Sequence, residues 1–563
     1  MGKPLWRNPD DVRFWYGLIG IGLLLRVVGS FVSTISVDTH LHSTYVVHFL
    51  QEGSFELTWG PNRNPLYPLA SDPSNGGSDI GWRYAVWHSW LMLWIAVFGR
   101  SYAVLHVSGL ALSAIMLVTV YLVSRHHFGS NFALRMTTFT AVQPALIAGA
   151  SMAMMEDLMV IYVTFACHFL LKGLDQIRAR RWPLWWIGGA PVVWAFGFTK
   201  GTGWDMLLIV AASGAVWLLL SHHLRGFRAW LTHHPFMGLT SFAGTIWSIM
   251  LLRASLSPSL GWALSESLNM PLRFAYSFAL SLVLFVGLWG FIGLFAWPYI
   301  GTVKQRLANG PLTMRELHLW MLVVLPLAFV TLTNASFWCY EGSILGWSVH
   351  KTAAIYIHNG RYLSVMLIPL HWCIAIAEQE LELNQKPLAP APDQPQENRT
   401  KSVLGQARPH LMLAVLLIVL PSSSLMAVAM AFHPDGEAED VSIELGVEIE
   451  DGESFLLVTR TYASMSRLYL YSLGVDAEGD RNITGHWRSM ETPWESELQG
   501  HYHHPLSGSL ENVSVVVVAK EVNITHLDGW LPIESVSLPD GWLMFRTVEW
   551  TQANAMEGVS SRT

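Results

Sequence analysis

A bilayer core about 30 Å thick takes about 20 apolar residues of helix to cross, and this chain offers about eleven such stretches in succession. Nothing else in the sequence limits the fold as strongly. Inside hydrocarbon every backbone N–H and C=O needs an internal partner, so such stretches become helices packed in a bundle. Composition agrees: 52% of the 563 residues are hydrophobic and 13% charged, against about 25% charged in ordinary soluble domains. The 27 Trp residues fit aromatic belts at the membrane surfaces. A net charge of −7 argues against nucleic acid as a partner. Cys167, Cys339 and Cys373 lie too far apart to read as a disulfide framework or a metal motif.

Orientation follows from basic residues, which favour the cytoplasmic side. Lys3, Arg7 and Arg13 precede the first span, Phe14–Val37, which is too long for a signal-peptide core and is read as a retained anchor. Asp38 then emerges outside. Ala85–Phe98 is short for a crossing and reads as an interfacial or re-entrant helix. The further spans are Ser101–Val123, Phe132–Gly149, Leu158–Leu171, Leu184–Thr199, Met206–Leu220, Phe236–Leu252, Phe274–Ile300, Leu317–Thr333, Tyr362–Ala377 and Leu411–Ala431. This threading puts the basic clusters inside. It puts Asp38, Glu156, Asp157, Asp205, Glu266 and Glu341 outside, together with outer loops at 36–84 and 334–361. Ionisable groups at a membrane edge are costly and tend to be functional, so carboxylates meeting on one face mark a candidate site.

After Phe432 the pattern changes. Val441–Glu450 alternates apolar and polar, Asp451-Gly452 reads as a turn, and strand-like runs follow at Phe455–Thr459, Leu468–Leu473 and Val513–Val518. Short alternating strands between turns predict a small β-sandwich. Sequons at Asn482, Asn512 and Asn523 agree with an extracytoplasmic place for it, while Asn398 heads a sequon in the predicted inner loop. The expected organisation is a catalytic membrane domain over 1–378, a cytoplasmic linker over 379–409, a last span over 410–431 and a β domain over 432–563.

Four stretches together resemble the GT-C superfamily, polytopic glycosyltransferases that use polyprenyl-phosphate sugars, in the branch of protein O-mannosyltransferases and aminoarabinose transferases. They are Val37-Asp38 with Tyr45 and Leu50-Gln51-Glu52-Gly53; Ser151 to Leu158 with Glu156-Asp157; Gly197-Phe198-Thr199-Lys200-Gly201; and Arg361-Tyr362-Leu363 with Pro369. There are departures. Asp38 is followed by Thr39 where the family often has Glu, and its His-Pro-Pro element is missing, with His88 in Trp87-His88-Ser89 as a conceivable stand-in. The Trp-Trp-Asp-Tyr-Gly signature of oligosaccharyltransferases is absent, since Trp185-Trp186 runs into Ile187-Gly188.

The resemblance implies inverting transfer of one sugar from a polyprenyl (dolichyl) phosphate donor to a protein, lipid or glycan acceptor at the outer face. Such chemistry needs a base, cations for the departing phosphate and a greasy groove for the donor's tail. Asp38 is the candidate base; its plain alternative is a helix cap or a solvated aspartate. Glu156 and Asp157 open a helix, where carboxylates also suit the macrodipole; Asp38 and Asp157 are the expected ligands of a shared Mg²⁺ or Mn²⁺. Lys200 reads as a leaving-group clamp or a snorkelling lysine, and Arg361 as a bidentate phosphate grip. His350 and Tyr362 join the substrate-binding set, with Trp338, Tyr340, Glu341, Trp347, Lys351 and His358 nearby in sequence. His40, His42 and His48 are weighed as transition-metal ligands, Asp72–Asp79 as a calcium-like loop. Arg26, inside the first span, either faces the bundle or snorkels. The rival class is a membrane transporter or lipid flippase, which would more often show internal repeats and helices broken at mid-membrane.

Overall fold

The computed structural model describes residues 12–53, 84–199, 258–293, 300–309, 312–344, 346–355, 357–385, 437–459, 468–490, 493–498, 513–522, 524 and 526–547. Lys200, the predicted spans Met206–Leu220, Phe236–Leu252 and Leu411–Ala431, the linker beyond Gln385, the Asp72–Asp79 stretch and the sequons at Asn398, Asn512 and Asn523 lie outside these residues; the first linker residues, 379–385, are helical.

The membrane part runs α1 (Val12–Val32), α2 (Val37–Glu52), α3 (Ala85–Phe98), α4 (Tyr102–Phe128), α5 (Ser130–Ala141), α6 (Pro144–Ser151), α7 (Glu156–Arg178) and α8 (Leu184–Gly197). It continues with α9 (Pro258–Leu268), α10 (Pro271–Gly293), α11 (Ile300–Ala308), α12 (Met314–Ile344), α13 (Val349–Ile355), a 3-10 segment (Ile357–Met366) and α14 (Leu367–Gln385). Five stretches among the described residues are long and apolar enough to cross a membrane: Val12–Val32, Tyr102–Phe128, Glu156–Arg178, Arg315–Tyr340 and Arg361–Leu381. Ala85–Phe98 is a shorter apolar helix, matching the expectation of a segment too short to span.

Several predicted boundaries change, two of them with consequences for the site region. The expected crossing Phe132–Gly149 is two helices, because Gln143 caps a new one: its Oε1 accepts from the backbone N–H of Ala145, and Pro144 takes the first position, where a missing N–H costs nothing. The helix expected to end at Thr333 runs on to Ile344, so Trp338 and Tyr340 are buried helix residues rather than members of an outer loop.

One helix crossing bears directly on the site. Gly29 of α1 meets α6 so closely that a Cβ would run into Ser151 Oγ, and small residues at such crossings let backbones approach. Polar groups hold the same contact: Ser33 Oγ donates to Ser151 O at 3.1 Å, and His106 Nδ1 lies 2.8 Å from the same oxygen.

Among the described residues the C-terminal part shows one sheet rather than the expected β-sandwich. It consists of α15 (Ala438–Glu448), β1 (Ser454–Thr459), α16 (Leu468–Val475), β2 (Thr484–Ser489), α17 (Trp494–Leu498), β3 (Val513–Val518), β4 (Trp530–Pro532) and β5 (Leu543–Thr547). The strands form one mixed sheet in the order β2-β1-β3-β5-β4, with β1 parallel to both β2 and β3, and β5 antiparallel to β3 and β4. Both faces are covered. Phe455, Leu457, Val515 and Val517 pack with Val441 and Leu445 of α15; Leu456, Val458, Val516 and Val518 pack with Trp494 and Trp530. A sheet buried on both faces explains why β1 and β3 read as continuous apolar runs.

The stretch expected to be the first strand is helical instead. Ala438, Val441, Ser442 and Leu445 are its buried residues, a three-and-four spacing, whereas Ile443 and Val447 are 48% and 76% exposed. Leu468–Leu473 likewise falls in α16.

Candidate active site

The turn between α6 and α7 builds the site. Ala153 there has φ +56°, a left-handed conformation that costs a residue with a Cβ about 1–2 kcal/mol. The start of α2 holds that turn in place. Ser36, the N-cap of α2, accepts from the N–H of Thr39 and donates its own N–H to Met152 O at 3.1 Å. Thr39 Oγ1 donates to Ala153 O at 2.7 Å. Two helix N-termini are thereby brought together, one carrying Asp38 in its first turn and the other Glu156 and Asp157.

Arg361, on the 3-10 segment, joins them. Its Nε donates to Glu156 Oε1 at 3.0 Å, and its Nη2 to Asp38 Oδ2 at 3.1 Å. Tyr362 presents its hydroxyl to Nη2 at 3.3 Å, with its ring 4.8 Å from the guanidinium carbon. The three charged side chains differ sharply in access: Asp38 is 45% exposed, Glu156 2% and Arg361 5%. Arg361 keeps one nitrogen, Nη1, buried and without a hydrogen-bond partner. Glu156 is thus the buried counter-charge that fixes the guanidinium, and Asp38 the carboxylate open to solvent.

Asp157 points into a second polar nest. It is buried, neither oxygen makes a hydrogen bond of good geometry, and its polar neighbours are Arg26 and Ser113. Arg26 faces the bundle: Nε donates to Ser113 Oγ at 2.7 Å, Nη1 to Gly22 O and Ala141 O, and Nη2 to Thr140 O. The adjacent acids therefore serve different cations, Glu156 reaching Arg361 and Asp157 lying beside Arg26.

This arrangement does not fit the expected metal shared by Asp38 and Asp157. Among the described residues no group of three or more His, Cys, Asp or Glu side chains is placed to hold an ion. Asp38 and Glu156 already share a guanidinium, which occupies the place of a cation. The three histidines of α2 also diverge. His42 Nδ1 lies 2.8 Å from His88 Nε2, His40 packs edge-on to Tyr102, and His48 has Asp476 as an electrostatic neighbour.

His350 is exposed on α13 and hydrogen-bonds Tyr276 of α10, so its partner lies outside the Asp38–Glu156–Arg361 cluster. Lys351 stacks over Trp347 at 4.4 Å.

Sequence reasoning missed Arg100. It is buried between α3 and α4, where burial pushes its pKa down to about 10 and nearby Asp476 opposes that shift. It therefore stays charged at neutral pH. An arginine ending an apolar stretch beside a helix-capping Ser101 was the available signal, and an interface reading accounts for the same pattern.

No protein-family model and no curated protein sequence matches the chain. Solved structures do. ArnT from Cupriavidus metallidurans, in its apo state and bound to undecaprenyl phosphate, is similar with a TM-score of 0.45 and 10% identity in both cases. The apo comparison covers 94% of this chain and 98% of that one; the lipid-bound comparison covers 95% and 98%. The Archaeoglobus fulgidus oligosaccharyltransferase, in complex with Zn and sulfate, is similar with a TM-score of 0.47 and 12% identity over 90% of this chain and 68% of that one.

Proposed function

We propose that this chain is an integral-membrane glycosyltransferase that moves a single sugar from a polyprenyl (dolichyl) phosphate to a hydroxyl-bearing protein, lipid or glycan acceptor at the extracytoplasmic face. The observation that carries the reading is Arg361 held between buried Glu156 and accessible Asp38. A guanidinium so fixed offers Nη1 to a phosphate, and Arg is suited to planar, bidentate phosphate recognition. Asp38 lies beside it as a carboxylate able to take the acceptor's proton. The acceptor oxygen bonds to the sugar's anomeric carbon, the bond from that carbon to the phosphate oxygen breaks, and the polyprenyl phosphate leaves against Arg361 and, on the motif's resemblance, Lys200. Donor affinity comes from burying the isoprenoid tail among the spans, at about 0.8 kcal/mol per buried CH₂. The N-terminus is assigned to the cytoplasm and the C-terminal domain to the outside on the basic residues between the spans.

The test is transfer from a panel of radiolabelled polyprenyl-phosphate sugars by detergent-purified protein, comparing wild type with Asp38→Asn, Arg361→Ala and Lys200→Ala. Transfer by wild type and none by Asp38→Asn supports the reading. Full activity of folded Asp38→Asn would remove the base assignment. No transfer with any donor, together with movement of a polyprenyl-phosphate sugar across vesicles, would replace the enzyme with a transporter.

A further inference from the structure

Helix α2 is gripped at both ends. Its first turn sits on the strained α6–α7 turn and carries Asp38. Its later turns face the C-terminal domain, and between them lies Arg100. The guanidinium donates through Nε to Ser43 Oγ at 3.0 Å, and through Nη2 to Thr44 Oγ1 at 2.9 Å, both on α2. The remaining donations go to the C-terminal domain: Nη2 to Ser472 Oγ at 2.6 Å, and Nη1 to Asp476 O at 3.1 Å and Ser472 O at 3.5 Å. These five bonds use all five N–H groups of the side chain. The two bodies also touch directly. Thr44 Oγ1 lies 2.8 Å from Ser472 Oγ, and Gln51 Nε2 donates to Glu478 O at 3.3 Å. Gly479, at φ +75°, sits so close to Val47 that a Cβ would overlap that side chain.

Removing the cation from such a knot leaves its buried acceptors unsatisfied together, so the knot holds as a unit. A helix of the length of α2 transmits a tilt at its far end to its first turn as a rigid rod. We propose that Arg100 is a positioning residue: by tying Ser43 and Thr44 of α2 to Ser472 and Asp476, it makes docking of the C-terminal domain set the place of Asp38 against Arg361. The C-terminal domain is on this account part of the active-site scaffold. The catalytic consequence rests on the glycosyltransferase reading; the structural one does not.

The experiment pairs Arg100→Ala, in the full-length protein, with a reversible bridge between Thr44→Cys and Ser472→Cys, whose replaced hydroxyls are in contact and whose sulfurs replace the lost link. The three native cysteines are free and buried, so the introduced bridge is the engineered disulfide under test; Thr44 and Ser472 are buried too, and its oxidation and reduction are followed by thiol count. Arg100→Ala is expected to lower kcat about 10- to 100-fold, as misplacing a reacting group by about 1 Å does, with KM for the donor little changed. Oxidising the bridge in the Arg100→Ala background should restore kcat, and dithiothreitol should remove the gain. Failure of the oxidised bridge to rescue, while the same bridge is harmless with Arg100 present, overturns the proposal, as does wild-type kcat in Arg100→Ala.

Hydrogen exchange keeps this separable from the assignment of function. Arg100→Ala should speed amide exchange across residues 37–52 as well as 468–479. Loosening of 468–479 alone would overturn the positioning role even in a protein that transfers no sugar.

Discussion

Asp38 and Glu156 are both bound to Arg361, yet their surroundings give them unlike behaviour on mutation. Asp38 is nearly half exposed, and exposed ion pairs contribute about 0–1 kcal/mol. Asp38→Asn should therefore leave the melting temperature within a degree or two while abolishing transfer. Glu156 is buried, and breaking a buried pair costs about 3–5 kcal/mol because it strands a charge. Glu156→Gln should show a clear fall in thermal stability together with lost transfer, so melting curves alone distinguish the two variants. His48 supplies a pH signal. Burial lowers its pKa below the ordinary 6.5, with Asp476 and Glu52 opposing and Arg100 assisting, and neither ring nitrogen has a hydrogen-bond partner. A depressed pKa means its contribution is complete above pH 6.5 and is lost as pH falls towards the folded value. The stability gap between wild type and His48→Gln should shift against wild type between pH 7 and pH 5; a gap independent of pH would contradict this.

Among the elements, the α6–α7 turn is the most informative. Ala153→Gly relieves the left-handed strain and should preserve or raise the melting temperature, whereas Ala153→Val, with a branched side chain at φ +56°, should lower stability by about 2 kcal/mol or more. Thermal unfolding of the two variants checks this directly. Ser36→Ala, which removes the α2 cap, should cost about 1 kcal/mol. The turn was not legible beforehand, because Ser151-Met-Ala-Met-Met carries no glycine to advertise it. The long apolar helices were legible, since length and hydropathy suffice for them. Arg361 and Glu156 could be named from motif and position, but their mutual contact could not, because it joins residues 205 apart in sequence. Within the C-terminal part, Val441–Glu450 misled because its alternate apolar residues satisfy two periods at once. Burial of Val441 and Leu445 with exposure of Ile443 and Val447 shows that the helical one prevailed. The sheet strands β1 and β3 were legible; what covers them was not, since a fully buried strand belongs equally to a sandwich and to a helix-covered sheet.

For the molecule as a whole, the site has a history within the chain. Asp38 and Glu156 lie in its first third and Arg361 well beyond its middle. During synthesis from the N-terminus the two carboxylates are made, and their helices inserted, long before their counter-charge exists. Completion of the ion cluster is thus a late event in biogenesis, and it also reports that the distant 3-10 segment has reached its place. Chains ended before residue 361 should carry a stranded acid at the N-terminus of α7 and turn over faster in cells than chains ended after α14. Pulse-chase of a nested truncation series would show the step. An ion cluster assembled from such distant parts closes only once nearly two thirds of the chain has been made.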